Sequence, residues 1–192
     1  SAAVIFFLMD VSGSMSMDRK YLARSFFFLL YQFLNHRYEQ VEVVFVSHST
    51  DAKRVSEDDF FKVATYGGTI VSSCLNLELE TIEKEFHPST WNIYSFYCGD
   101  GENWSADNEK CIDLFKKIKE ISQLTGYCEI NEHYAGLAEN DSAIMPDGSP
   151  WPSFSAWKNE EMENLWSKLG PICDTKFKRI MIGSTEHIWG AF

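Results

Sequence analysis

Basic residues are scarce in this chain. Lys and Arg number 17 against 28 Asp and Glu, giving a formal net charge of −11 and a pI near 4.9. Such a surface disfavours a nucleic-acid backbone or an anionic membrane as partner, because both need a basic face. It fits a cation held at one site, or a basic partner. Long apolar runs are lacking as well. The longest, SFFFLLYQFL (25–34), is about half the roughly 18–20 residues of a membrane span and is flanked by charge. Cysteines are five, an odd number, at 74, 98, 111, 128 and 173, with no C-x-x-C spacing. That argues against a zinc site and a disulfide framework, and for buried reduced thiols in a cytoplasmic protein. The start, SAAVIFF, has no basic region of the kind that opens a signal peptide. With HIWGAF at the other end, the chain reads as a C-terminal piece of a longer protein, its first two or three residues an appended remnant.

What is present suffices for a core. Hydrophobic residues make up 45% and aromatics 15% of 192 residues, which points to a single domain over 1–192 with an insertion. AVIFFLMDV (3–11) is a continuous apolar run of strand length, as in a sheet covered on both faces. Residues 17–37 are long enough for a helix whose middle is apolar almost all round, so it is expected to lie deep, with the FFFLL block in the core. QVEVVFVSHS (40–49) is a second strand, and 52–61 a short edge strand followed by a turn of helix. Helix is predicted over 72–87, with Leu75, Leu79, Ile82 and Phe86 recurring on one face. WNIYSFYC (91–98) is a strand closed by Asp-Gly, and 106–124 a helix with Ile112, Phe115, Ile118 and Ile121 inward. GYCEINEH (126–133) is a further strand. Residues 134–155 show no periodicity and contain three prolines, so they read as a loop insertion. Helix is expected again over 156–170, strand over 176–184 and the start of a helix after it. Strands alternating with helices give a Rossmann-like, three-layer α/β sandwich with a mostly parallel central sheet and helices on both faces.

In such a sheet, ligands bind at the carboxyl ends of the strands. Asp10 ends the first strand, and Ser12 and Ser14 follow at every second position. Thr69 follows two glycines in the loop before a helix, and Asp100 follows the strand at 91–98. Two carboxylates and three hydroxyls form a hard, all-oxygen set suited to Mg²⁺, Mn²⁺ or Ca²⁺.

DVSGSM (10–15) is similar to the D-x-S-x-S core of the metal-ion-dependent adhesion site (MIDAS) of von Willebrand factor A (vWA) domains. Those domains add a threonine from a second loop and an aspartate from a third, and Thr69 in GGT and Asp100 in CGDGEN match in order and setting. The longer strings VIFFLMDVSGSM, RSFFFLLYQFLNHRYEQVEVVFVSH, GGTIVSS and WNIYSFYCGDGENWS resemble the bacterial YeaH/YhbH family, which includes a sporulation-associated member. The likeness covers about residues 3–133 and resumes near FKRIMIGSTEHIWGAF, while 134–175 departs from the family pattern. The resemblance implies a vWA-like domain whose Asp10, Ser12, Ser14, Thr69 and Asp100 hold one divalent cation. It implies that an Asp or Glu of a protein partner replaces a water on that cation, so that the domain binds and does not catalyse. Family genes neighbour those of a PrkA-type serine kinase and a SpoVR-like protein, which implies a stress or sporulation pathway and makes those two proteins candidate partners.

Other readings of the same residues stand beside this one. Asp10 can cap a helix beginning near Ser12, and Asp100-Gly101 can be a plain turn. His48 can approach the site from strand two, and Trp104 can form a recognition rim. A second aspartate two residues after Asp10, as in haloacid-dehalogenase phosphatases, is missing, and so are G-x-S-x-G and the phosphate-binding glycine loops. No general base is evident beside the carboxylates. A metal-assisted phosphohydrolase and a structural domain with an unused site remain the alternatives.

Overall fold

The structure is a computed structural model that describes residues 1–62, 65, 67–131 and 164–190. The loop expected over 134–155 and the first part of the helix expected over 156–170 lie outside the described residues. Six strands form one sheet in the order β3-β2-β1-β4-β5-β6. They are β1 (Ala2–Asp10), β2 (Gln40–His48), β3 (Ala52–Val55), β4 (Asn92–Gly99), β5 (Leu124–Ile130) and β6 (Phe177–Ile182). All neighbours are parallel except β2 and β3, where the short edge strand runs back antiparallel. The helices are α1 (Met17–Asn35), α2 (Glu57–Phe60), α3 (Val71–Glu85), α4 (Asn108–Ile121), α5 (Leu165–Leu169) and α6 (Thr185–Gly190).

The central strand explains the apolar run at the start of the chain. Alternate side chains of a strand point to opposite faces. Val4, Phe6 and Leu8 pack with α3, α4 and α5, while Ile5, Phe7 and Met9 pack with α1, α2 and α6. Both faces are covered, so no position in the middle of β1 is free to be polar. Phe7 stacks on Phe27 of α1 at 4.1 Å, and Phe26 meets Phe96 of β4 edge-on at 5.7 Å. Each such ring, fully buried, contributes about 1.5–3 kcal/mol. This is the three-layer α/β sandwich that the alternation of elements predicts.

Several local expectations need correction. Phe26, Phe27 and Leu30 are core, but Phe28 is 60% exposed, and Tyr21 and Phe33 also face outward from α1. The helix is a single layer over the sheet, so the far side of an all-apolar stretch has nothing described above it. On α3 the buried face is Val71, Cys74, Leu75, Glu78, Thr81 and Ile82, with Leu79 only partly covered. The buried face is rotated from the leucine stripe and includes Glu78, which lies by Ser95 of the sheet. On α4 the buried positions are Cys111, Leu114, Phe115 and Ile118, with Ile112 and Ile121 at the margin. Strand β5 begins two residues before its expected start and ends at Ile130. All five thiols are free, four buried as expected, but Cys173 is exposed.

Candidate metal centre

The carboxyl ends of β1, β4 and β5 lie side by side. Asp10 ends β1 and pairs in register with His48 of β2. Its side chain is fully buried, and its Oδ1 accepts the Ser12 N–H at 2.8 Å. That bond turns the chain away from the strand and brings the Ser12 and Ser14 hydroxyls within 3.1 Å of each other. Asp10 is therefore not a helix cap. The cap of α1 is Ser16, whose Oγ accepts the Arg19 N–H at 3.2 Å.

The second loop enters from the other side. Thr69 is buried, and its hydroxyl donates to Asp10 Oδ2 at 3.4 Å. Neighbouring backbone holds it there: the Ile70 N–H donates to the Ser49 carbonyl at 2.8 Å, and the Trp104 N–H to the Thr69 carbonyl at 3.2 Å. A Cβ on Gly68 would lie 2.7 Å from Trp104 Nε1, so the indole sits where only glycine leaves room. Trp104 is nonetheless 58% exposed at the rim of the site.

Asp100 follows β4 in the third loop. Its Oδ1 accepts the Glu102 N–H at 3.1 Å, and Gly101 takes the left-handed φ of 86°. The plain-turn reading of Asp100-Gly101 is thus correct, and it is compatible with a ligand role. Asp100 Oδ2 accepts a hydrogen bond from Arg19 Nη1 at 3.1 Å, and the same nitrogen donates to the Ser14 carbonyl at 2.9 Å. An unbroken chain of bonds thus runs from Thr69 through Asp10, Ser12, Ser14 and Arg19 to Asp100. The third loop also supports the second. Asn103 and Asp107 accept the Val71 and Ser72 N–H groups at 3.0 and 2.9 Å, capping α3 from outside its own sequence.

Burial pushes the Asp10 carboxyl up to about 6, and the Asp100 charge adds to the rise. The Ser12 N–H and the Thr69 hydroxyl pull the other way but do not compensate. A sealed carboxylate with neutral donors and a second carboxylate nearby is a position that a cation would stabilise. Among the described residues no group of three or more His, Cys, Asp or Glu is placed to hold a metal. The donors here are instead carboxylate and hydroxyl oxygens, a set that fits a hard divalent cation. His48 does not join them. Burial lowers its pKa to about 4, its Nδ1 lies 3.3 Å from the Ser49 carbonyl, and its ring packs against Tyr97.

Two residues here escaped the sequence reading. Arg19 is separated from Asp100 by 81 positions, and no local pattern connects them. Glu129 lies opposite Gly99 in the β4–β5 register and is buried. Its carboxyl is pushed up to about 8 by burial and then by Asp100, with Arg179 opposing. Its alternation within β5 marks one face of the strand, but its burial comes from the Asp100-Gly101 turn, a contact made far along the chain.

A structure from Bacteroides fragilis, described as an aerotolerance-related membrane protein, matches 98% of this chain and 96% of its own with a TM-score of 0.57 at 15% identity. The ArnB paralog VWA2 from Sulfolobus acidocaldarius matches 68% of this chain and 35% of its own, with a TM-score of 0.44 at 16% identity. In sequence, a UPF0229 protein of Ruminiclostridium cellulolyticum is 51% identical over 172 residues, 90% of this chain. The chain spans 43% of that relative's length. Residues 1–192 match the family described as "Protein of unknown function (DUF444)", and the chain belongs to that family.

Proposed function

We propose that this domain is a divalent-cation-dependent protein-binding module whose MIDAS-type centre accepts a carboxylate from a partner protein. The observation that carries the reading is the bonded chain of oxygen-bearing residues from three loops around the buried Asp10. Asp10, Ser12, Ser14, Thr69 and Asp100 would hold Mg²⁺, or Mn²⁺ or Ca²⁺ in its place. The ion supplies an electrophilic position at which a partner's Asp or Glu replaces water. Because Ser12, Ser14 and Thr69 contribute neutral oxygens, part of the positive charge remains for that carboxylate. The ion thereby lets a chain of net charge −11 attract an acidic group.

We assign the chain to the YeaH/YhbH branch, acting in the bacterial cytoplasm in a stress or sporulation pathway, with a PrkA-type kinase or a SpoVR-like protein as partner. The assignment draws on the sequence strings quoted above. The test is direct binding of the purified candidates to the immobilised domain. Complex formation is expected in Mg²⁺, with loss in chelator and in Asp10→Ala. Binding that persists in both would contradict the reading. The second reading is metal-assisted phosphohydrolysis at the same oxygen set, in which a cation held by Asp10 and Asp100 would activate water. Phosphate release from a generic ester panel, abolished by Asp10→Ala, would favour that alternative.

A further inference from the structure

Glu129 carries an unexplained feature. Its Oε2 is sealed from solvent and has no hydrogen-bond partner among the described residues. Such an oxygen is costly to leave unpaired and calls for a missing donor. The carboxyl lies directly behind the third loop. A Cβ on Gly101 would fall 2.7 Å from Glu129 Cδ and 2.8 Å from Oε2. The glycine therefore serves two ends: it takes the positive φ of the turn, and it lets the turn close onto this carboxyl. Arg179 on β6 is an opposing charge, but its Nη1 donates to the Trp166 carbonyl at 2.6 Å and its guanidinium lies over the Trp166 ring.

Glu78 is also buried with both carboxyl oxygens unpartnered, yet it sits in mid-helix over Ser95, which pairs with Phe6 in the middle of β1. It faces the sheet interior and not the strand ends. Glu129, by contrast, stands at the carboxyl edge, one residue across from Gly99 and against the turn that carries Asp100.

We propose that Glu129 is a further residue of the metal centre, an outer carboxylate that accepts a hydrogen bond from water bound to the cation on the Asp100 side. This rests on the reading that the oxygen set holds a divalent cation. Glu129 is a positioning residue in this scheme: it acts on the ion through water and fixes the third loop against it. Donors from the hydrated ion satisfy the oxygen that the protein leaves unpaired, and outer partners of this kind orient a metal's ligands.

The experiment is calorimetric titration of the metal-stripped protein with Mn²⁺, comparing the parent with Glu129→Gln, Glu129→Asp and Asp100→Ala. Water-proton relaxation of the Mn²⁺ complexes and thermal unfolding without metal accompany it. Gln keeps the volume and removes the strong acceptor; Asp keeps the acceptor and withdraws it. Both are expected to weaken Mn²⁺ about 10- to 100-fold and to change the relaxation of bound water, with metal-free unfolding altered less than affinity. Parent-like affinity and relaxation in both variants, with Asp100→Ala abolishing binding, would overturn the role of Glu129 and leave the metal centre standing. Absence of Mn²⁺ binding by the parent would remove both. If Glu129→Gln fails to fold, the Asp variant decides.

Discussion

Asp100 and Arg19 set the resting state of the site. Their side chains are 2% and 22% exposed, and they share the bond that joins the first loop to the third. A buried carboxylate that loses its partner is strongly destabilising, and partial exposure of the guanidinium moderates the loss. Arg19→Gln is expected to lower the stability of the metal-free protein by about 1–3 kcal/mol. It is also expected to bind divalent cation more tightly than the parent, because a competing positive charge has gone from Asp100. Denaturant unfolding with and without Mg²⁺ measures both. A variant as stable as the parent in chelator, and no better stabilised by Mg²⁺, would remove Arg19 from the site. Residues of this kind are invisible in sequence. D-x-S-x-S is a local pattern, so Asp10, Ser12 and Ser14 could be read as candidates directly, Thr69 from the two glycines before a helix and Asp100 from its place after a strand. Arg19 and Glu129 acquire their roles only when distant loops meet.

Among the elements, β1 was the most legible, since a fully apolar strand has one common explanation, burial on both faces. Helix α3 was the least. Its leucines suggest one face, yet the sheet carries a buried polar Ser95, and Glu78 turns inward beside it. Burial pushes the Glu78 carboxyl up from 4.5 to about 8, with Ser95 opposing only weakly. The unfolded chain releases this proton near the ordinary value, and the folded one holds it to higher pH. Stability from the neutral form is therefore complete at low pH and is lost as pH rises from about 4.5 towards 8, by on the order of 5 kcal/mol in all. His48 works in the opposite direction: burial lowers its pKa to about 4, so stability is lost as pH falls below the ordinary histidine range. The contribution of Glu78 is isolated by comparison with Glu78→Gln, which cannot ionise. The variant is expected to gain stability relative to the parent steadily between pH 5 and 8 and to level off above that. A difference that does not change with pH would show that the Glu78 carboxyl is already ionised in the fold.

For the whole molecule, the sheet order explains why the oxygen donors converge. β1 is central, β4 is its parallel neighbour, and the loop before α3 crosses the same edge. Residues from three distant segments thus reach one point, in a protein whose net charge of −11 favours a cation there. Phe28, within the FFFLL block expected in the core, faces outward because hydrophobicity alone does not say how many layers lie above a helix. The most direct test of the metal centre is calorimetric titration of metal-stripped protein with Mg²⁺, Mn²⁺ and Ca²⁺, run beside Asp10→Ala and Asp100→Ala. One ion per chain, bound by the parent and lost by both variants, is the predicted result. Binding that survives both substitutions would place the cation elsewhere and contradict the reading of these strand-end oxygens as its ligands.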